Sequence, residues 1–123
     1  MNGDCLLKKV EKQEAEAQKF GFYWDNFLQL IEQIQSECAE IQEAWDKKQS
    51  APLQEEIGDL IQAAISLAVF CKFDPYETLQ KSIEKFQKRY DAVVRMALED
   101  GRSNLHNQPI DVLMNYWNRA KKS

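Results

Sequence analysis

Residues that interrupt helices or favour strands are scarce in this sequence. Its 123 residues include only four Gly, three Pro and a single Thr, at position 78. Glu, Gln, Lys, Ala and Leu, which favour helices, are abundant instead. Because strands are enriched in β-branched residues and turns in Gly and Pro, this composition predicts an all-α protein.

Cysteine and histidine are also scarce. The three cysteines, Cys5, Cys38 and Cys71, are an odd number without paired spacing, so we expect no disulfide framework and a reducing compartment. His106 is the only histidine. One histidine cannot complete a zinc cluster, a di-iron site built on two Glu-x-x-His motifs, or a convincing catalytic triad.

Long apolar runs are absent, and the charge balance is mildly acidic. No run of about 18 apolar residues is present, so we expect no membrane span. Residues 1–5 show neither the basic start nor the apolar stretch of a signal peptide, and we expect a cytoplasmic protein. Sixteen Lys and Arg oppose twenty Asp and Glu. This balance argues against a nucleic-acid polymer as partner and leaves room for a small anion held through metal ions.

The few Gly and Pro residues divide the chain into five helical patterns, at about 4–20, 24–48, 53–72, 75–99 and 109–122. Gly21 and Gly101 are predicted to end helices, whereas Ser50 and Asp74 are predicted to cap them. The connections are short, so neighbouring helices should be antiparallel. We therefore expect one domain over residues 1–123, an antiparallel four-helix-bundle-like fold with short N- and C-terminal helices.

Two helical patterns carry most of the apolar residues. The second has an apolar face with steps of three and four, at Phe27, Leu28, Ile31, Ile34, Cys38, Ile41 and Trp45. We expect Trp45 to pack in the core, with base stacking as its alternative role. The third pattern is apolar on nearly all sides over residues 60–70, which is typical of a central helix.

Acidic residues recur at a three-residue step on two successive helices. Glu37, Glu40 and Glu43 lie on the second, and Glu56 and Asp59 on the third. Antiparallel packing brings Glu37, Glu40, Glu56 and Asp59 together, where unpaired carboxylates repel one another unless a cation is present. Carboxylate oxygens suit Mg²⁺, with Mn²⁺ as a substitute. The ordinary alternative is a solvated acidic face.

Gly58 lies inside the second acidic pair. Glycine in a helix interior costs about 1 kcal/mol relative to alanine. Its missing side chain would let a facing helix or a ligand approach closely.

Several segments, in this order, resemble the MazG-type nucleoside triphosphate pyrophosphohydrolases of the all-α NTP pyrophosphatase superfamily. The central signature is Glu37-x-x-Glu40 followed by Glu56-Ile57-Gly58-Asp59-Leu60. The flanking segments are Phe20-Gly21-Phe22-Tyr23-Trp24, Phe73-Asp74-Pro75, Lys85-Phe86-Gln87-Lys88-Arg89-Tyr90 and Trp117-Asn118-Arg119-Ala120-Lys121. The resemblance extends over most of the chain.

The resemblance implies Mg²⁺-dependent cleavage of nucleoside triphosphates between the α and β phosphates, which serves to clean the nucleotide pool. It also implies a homodimer or a dimer of dimers with a pocket between subunits. The metal ligands it implies are Glu37, Glu40, Glu56 and Asp59. The substrate contacts it implies are Lys85 and Arg89 on phosphates, with Trp117 and Lys121 closing the site.

Further roles follow from chemistry and position. Glu40 is our first choice as the general base and Glu43 the second. Trp24 is a candidate for stacking on the base, and we expect it to line the far side of a pocket or to face a partner subunit. Lys85 and Arg89 are four residues apart and share a helix face, although an ordinary basic stripe is the alternative for that face.

One departure from the family leaves other functions open. Ile83 stands where family members commonly have Asn. This change motivates a second hypothesis, a non-catalytic helical module for oligomerisation or nucleotide sensing. A third hypothesis is a relative with a narrow substrate, such as dUTP, dCTP or phosphoribosyl-ATP.

Overall fold

Residues 3–122 fold into five α-helices. The computed structural model describes residues 3–122, and side chains from residue 6 to residue 122, so the Cys5 side chain lies outside the described part. The helices are α1 (Gly3–Phe20), α2 (Phe27–Asp46), α3 (Ser50–Phe70), α4 (Pro75–Glu99) and α5 (Ile110–Lys121). Residues 3–122 contain no strand, and the all-α prediction is confirmed. The N-terminal helix has 18 residues and the C-terminal helix 12.

Three of the predicted helix ends are confirmed. Gly21 and Gly101 follow α1 and α4 with φ of 94° and 82°, a left-handed conformation that glycine adopts without a Cβ clash. Asp74 caps α4, because its Oδ2 accepts a hydrogen bond from the Glu77 backbone N–H at 3.0 Å. Pro75 then occupies the first helical position, where a missing N–H costs nothing.

Two other predicted helix starts are wrong. Ser50 is the first residue of α3 instead of its cap; the capping position belongs to Gln49, which makes no side-chain capping bond. α2 starts at Phe27, three residues after Trp24, because the Asn26 side chain accepts a hydrogen bond from the Gln29 backbone N–H at 3.0 Å. Trp24 therefore precedes the helix that it was expected to open.

The chain divides into two compact units, and the first ends at Thr78. Within it, α2 and α3 pack along each other and α1 packs on α3. Only residues 47–49 separate α2 from α3, so the two helices form an antiparallel hairpin. Between α1 and α3, the Gln62 amide donates to Gln13 at 3.0 Å, and the Ser66 hydroxyl donates to Glu14.

The buried face of α2 differs from the predicted apolar face. The buried residues are Leu30, Glu37 and Ala44, at a seven-residue step. Cys38 is exposed, and Trp45 is 66% exposed instead of packed in the core. A carboxylate thus lies at the centre of the buried line, while part of the predicted apolar face points to solvent.

α3 contacts both other helices of the first unit, but it is not a buried helix there. None of its residues is buried, although it is the most apolar helix. The burial expected of a central helix is absent because α1 and α2 leave Ile57 and Ile61 exposed. An apolar helix becomes central only when neighbours cover every side.

The second unit begins at Leu79 and has its own core. Met96, Ala97, Tyr116 and Ala120 are buried together there. The Tyr116 hydroxyl donates to Asp100 Oδ2 at 2.6 Å, and this bond, with burial, raises the pKa of the tyrosine. The prediction of a single domain over residues 1–123 stays a prediction.

Across the described residues, no helix combines the length and apolarity needed to cross a bilayer.

Candidate functional site

Three carboxylates meet on the α2–α3 hairpin. Glu37 from α2 and Glu56 and Asp59 from α3 each offer one oxygen, and these oxygens lie within 4.8 Å of one another. The three-residue step puts Glu56 and Asp59 on one face of α3, opposite the buried face of α2. The hairpin thus brings three of the four predicted metal ligands to one place.

Glu37 is the buried member of this acidic cluster. Its exposed fraction is 7%. The Gln33 amide nitrogen donates to Glu37 Oε1 at 2.7 Å, whereas Glu37 Oε2 is buried without a hydrogen-bond partner. Gln33 was not predicted as a site residue, and its signal was its position four residues before Glu37.

Glu40, the fourth predicted ligand, lies against Glu56. A side-chain hydrogen bond with Glu40 is the largest cause that raises the pKa of Glu56 to about 7, followed by burial and by the hydrogen bond with Glu37. Glu56 is therefore easier to protonate than an isolated glutamate. Shifts of this kind arise where carboxylates are too close for all of them to ionise.

The donor atoms of the acidic cluster fit a hard divalent cation. Glu37 Oε2 and Glu56 Oε2 are both buried without a partner, and such orphaned carboxylate oxygens are costly unless a cation compensates them. The three residues of the cluster offer carboxylate oxygens as metal ligands, and Mg²⁺ prefers oxygen ligands. The cluster can therefore hold a metal ion.

Glu43 does not join the acidic cluster. It is exposed on α2, where the Lys47 Nζ donates to its Oε1 at 2.7 Å. The hydrogen bond and the charge of Lys47 lower the pKa of Glu43. The four-residue Glu–Lys spacing, an ordinary helix-surface pair, was visible in the sequence.

Basic residues converge within the second unit. Lys85 and Arg89 of α4 and Lys121 of α5 line a cavity of about 140 Å³, together with Lys88 and Ala120. The cavity thus brings together Lys85 and Arg89, which were predicted to contact phosphates, and Lys121, which was predicted to close the site. Lys88 was not predicted as a site residue, and its signal was its position three residues after Lys85.

Trp117 packs beside this basic cavity. Its ring centroid lies 5.6 Å from that of Phe86. The Arg89 guanidinium lies over the indole, 5.8 Å from its centroid. This cation–π contact holds the arginine in place. Trp24, by contrast, lies in the segment between α1 and α2 and is 43% exposed.

Comparison of the sequence with known proteins identifies related chains. The pattern of the MazG nucleotide pyrophosphohydrolase domain matches residues 25–94. The chain is 32% identical over 115 residues to the nucleoside triphosphate pyrophosphohydrolase/pyrophosphatase MazG of Thermotoga maritima. It is 25% identical over 120 residues to the nucleoside triphosphate pyrophosphohydrolase of Escherichia coli. Each match covers 94% of this chain and 44% of the relative.

The chain therefore spans less than half the length of these two curated relatives. The matched span, residues 25–94, contains the whole acidic cluster and also Lys85, Lys88 and Arg89. Its all-helical fold and the carboxylates on its hairpin are in keeping with that match. The chain belongs to the MazG nucleotide pyrophosphohydrolase domain family.

Proposed function

We propose that this protein hydrolyses nucleoside triphosphates at the bond between the α and β phosphates, releasing a nucleoside monophosphate and pyrophosphate. The observation that carries this proposal is the acidic cluster with its two buried, unpartnered carboxylate oxygens. The names of the relatives from T. maritima and E. coli support the same activity.

In this proposal, Glu37, Glu40, Glu56 and Asp59 hold Mg²⁺, and Mn²⁺ substitutes for it. A bound divalent cation neutralises phosphate charge and lowers the pKa of a bound water. Gln33 keeps Glu37 in position through its 2.7 Å hydrogen bond. These side chains supply the oxygen donors that a polyphosphate-bound Mg²⁺ takes from proteins.

Glu40 is the proposed general base, which accepts the proton of the attacking water. Its carboxylate interacts directly with Glu56. Glu43, the second choice, is less suited because its ion pair with Lys47 lowers its pKa. The surroundings of the two glutamates thus favour Glu40 over Glu43 as the general base, which is the order proposed from the sequence.

Cationic side chains are proposed to bind the phosphates. Lys85, Arg89 and Lys121 line one cavity, and charge-assisted hydrogen bonds from such groups are strong and directional. Trp117 keeps Arg89 in place through the cation–π contact. Trp24, 43% exposed, is proposed to stack on the nucleobase.

We further propose a homodimer or a dimer of dimers. Cys38 and Trp45 of α2 and Ile57 and Ile61 of α3 are exposed in the single chain. Exposed apolar side chains are the kind of surface that a second chain can cover. Light scattering after size-exclusion chromatography should give at least twice the 14.4 kDa mass of the chain; a mass of one chain would contradict the proposal. The cytoplasmic location remains a prediction.

The decisive experiment measures products. The protein is incubated with Mg²⁺ and each of the common ribo- and deoxyribonucleoside triphosphates, and monophosphate, pyrophosphate and orthophosphate are quantified. We expect equal amounts of monophosphate and pyrophosphate. Orthophosphate as the primary product would contradict cleavage between the α and β phosphates, and no turnover of any nucleotide would contradict the enzyme assignment.

A matched pair of variants tests the acidic cluster. E56Q removes a proposed metal ligand, and we expect it to abolish turnover while the helical circular dichroism spectrum is retained. E55Q makes the same change at an exposed neighbour on α3, and we expect it to keep its activity. An active E56Q would remove this residue from the site.

Ile83 favours the two alternatives. Its side chain is 59% exposed and carries no hydrogen-bonding atom, in contrast to the Asn that is common at this position in the family. A non-catalytic module would release no product in that assay, and a nucleotide-sensing one would bind nucleotide in a separate calorimetric titration. A narrow-substrate relative would hydrolyse one nucleotide, such as dUTP, dCTP or phosphoribosyl-ATP, and leave the others intact.

A further inference from the structure

The two oxygens of Glu37 have different surroundings. Gln33 lies four residues before Glu37 on α2, so the two side chains share a helix face. The Gln33 amide nitrogen donates to Glu37 Oε1 at 2.7 Å, the short distance that is typical of a hydrogen bond to a charged acceptor. Glu37 Oε2 is buried without a partner. One oxygen of this carboxylate is therefore held by the protein, and the other is available to a ligand.

The donor to Glu37 is neutral, which distinguishes this carboxylate from that of Glu43 on the same helix. Glu43 accepts from the ammonium of Lys47 at 2.7 Å, and this ion pair compensates its charge. An amide fixes an oxygen without supplying a positive charge. Glu37 is only 7% exposed, so in its ionised form it has a negative charge with little access to water. A cation stabilises a buried charge of this kind.

The number of free oxygens on Glu37 affects which divalent cation suits the acidic cluster. Mg²⁺ binds in a small, nearly octahedral shell with oxygens at about 2.0–2.1 Å, which one oxygen from a carboxylate fits. Ca²⁺ is larger, takes about six to eight oxygens at about 2.3–2.6 Å, and often binds both oxygens of one carboxylate. Because the amide holds Oε1, Glu37 resists turning both oxygens towards one ion. The hydrogen bond from Gln33 thus favours the smaller cation.

We propose that Gln33 is a positioning residue through which the acidic cluster selects Mg²⁺ over Ca²⁺. It acts on the cation through Glu37, by leaving that carboxylate a single free oxygen. The inference rests on the proposed function, which assigns a divalent cation to this cluster. It adds which cation the cluster prefers and which side chain, itself not a metal ligand, determines that preference.

The experiment is a calorimetric titration of metal-free protein with magnesium chloride and with calcium chloride, in the absence of nucleotide. Q33M keeps the length of the side chain and removes the donor, and Q35M makes the same exchange at an exposed position of α2. We expect Q33M to bind Mg²⁺ about tenfold more weakly, as when the hydrogen-bond partner of a metal ligand is removed. Its Ca²⁺ affinity should be unchanged or higher, because both oxygens of Glu37 are then free. Q35M should bind both ions as the unchanged protein does.

Three outcomes would overturn the inference. These are unchanged Mg²⁺ binding in Q33M, an equal loss of Mg²⁺ and Ca²⁺ binding in Q33M, and no preference for Mg²⁺ over Ca²⁺ in the unchanged protein. An equal loss would show that Gln33 supports the cluster without selecting the ion. A loss of Mg²⁺ binding in Q35M as large as that in Q33M would contradict the inference as well. Circular dichroism checks that each variant is folded, and Q33L, which also lacks a donor, replaces Q33M if that variant does not fold.

The titration contains no nucleotide, so its result is separate from that of the product assay. Nucleotide hydrolysis by a protein whose Q33M variant keeps the preference for Mg²⁺ would overturn the role of Gln33 and leave the enzyme assignment intact. A preference that depends on Gln33, in a protein that hydrolyses no nucleotide, would support the inference and contradict the proposed function.

Discussion

Gly58 offers a test of whether something outside this chain occupies the surface beside the acidic cluster. It lies in the interior of α3, between Glu56 and Asp59. A Cβ built at Gly58 meets no heavy atom within 4 Å. Packing within the described chain therefore does not require glycine at this position. The expectation that a facing helix of the same chain approaches Gly58 closely is wrong.

The expected gain in stability follows from helix propensity. Alanine is favoured over glycine by about 0.8–1.0 kcal/mol in a helix interior, and the open space adds no clash at this position. With an unfolding entropy of about 2.1 cal/mol/K per residue over 123 residues, this gain should raise Tm by about 3–4 °C. Thermal melts of metal-free protein, followed by circular dichroism, measure it.

A control on the same helix measures how much an exchange between alanine and glycine changes Tm. Ala64 is also exposed inside α3, so A64G should lower Tm by a similar amount. If G58A leaves Tm unchanged or lowers it while A64G behaves as expected, the reasoning is refuted, because a Cβ at this position then meets something. Turnover of G58A, measured in parallel, shows whether the substrate uses the same space.

Three further predictions concern stability. First, metal-free E56Q should melt above the unchanged protein at pH 8. The pKa of Glu56 is raised from 4.5 to about 7 in the folded state, so ionisation of Glu56 lowers stability as pH rises through that range. The Tm difference between E56Q and the unchanged protein should therefore vanish near pH 4. A lower Tm for E56Q at pH 8 would show that this carboxylate supports the fold. Second, Mg²⁺ at about 100 times its Kd should stabilise the protein by about 2.7 kcal/mol, with a smaller rise of Tm in E56Q; equal rises would contradict the metal site. Third, Y116F loses the 2.6 Å hydrogen bond to Asp100 and should have a Tm several degrees below that of the unchanged protein. An unchanged Tm would contradict this prediction.

The helix ends were predictable wherever a single residue type decides the backbone. Gly21 and Gly101 end helices because their left-handed φ favours glycine, and Asp74 caps α4 through its own carboxylate. Ser50 and Trp24 were misjudged because the competing residue was a neighbour. Asn26 supplies the α2 cap, and Gln49 takes the capping position before α3 without a side-chain bond.

The candidate site was predictable in part. The three-residue step, together with a tight hairpin, was enough to expect Glu37, Glu56 and Asp59 side by side. The burial of Glu37 was not predictable, because it depends on which face of α2 meets α3. The place of Lys88 in the basic cavity also depends on tertiary structure, since only the packing of α5 adds Lys121 to the residues of α4.

α3 affects how folding of this protein should be measured. Dyes that fluoresce on apolar surface are commonly used to detect partly folded states. Because none of the α3 residues is buried and Ile61 is 58% exposed, a single native chain should bind such a dye. Its fluorescence would then report native surface, and a fall in signal as protein concentration increases would reveal that surface being covered by a second chain.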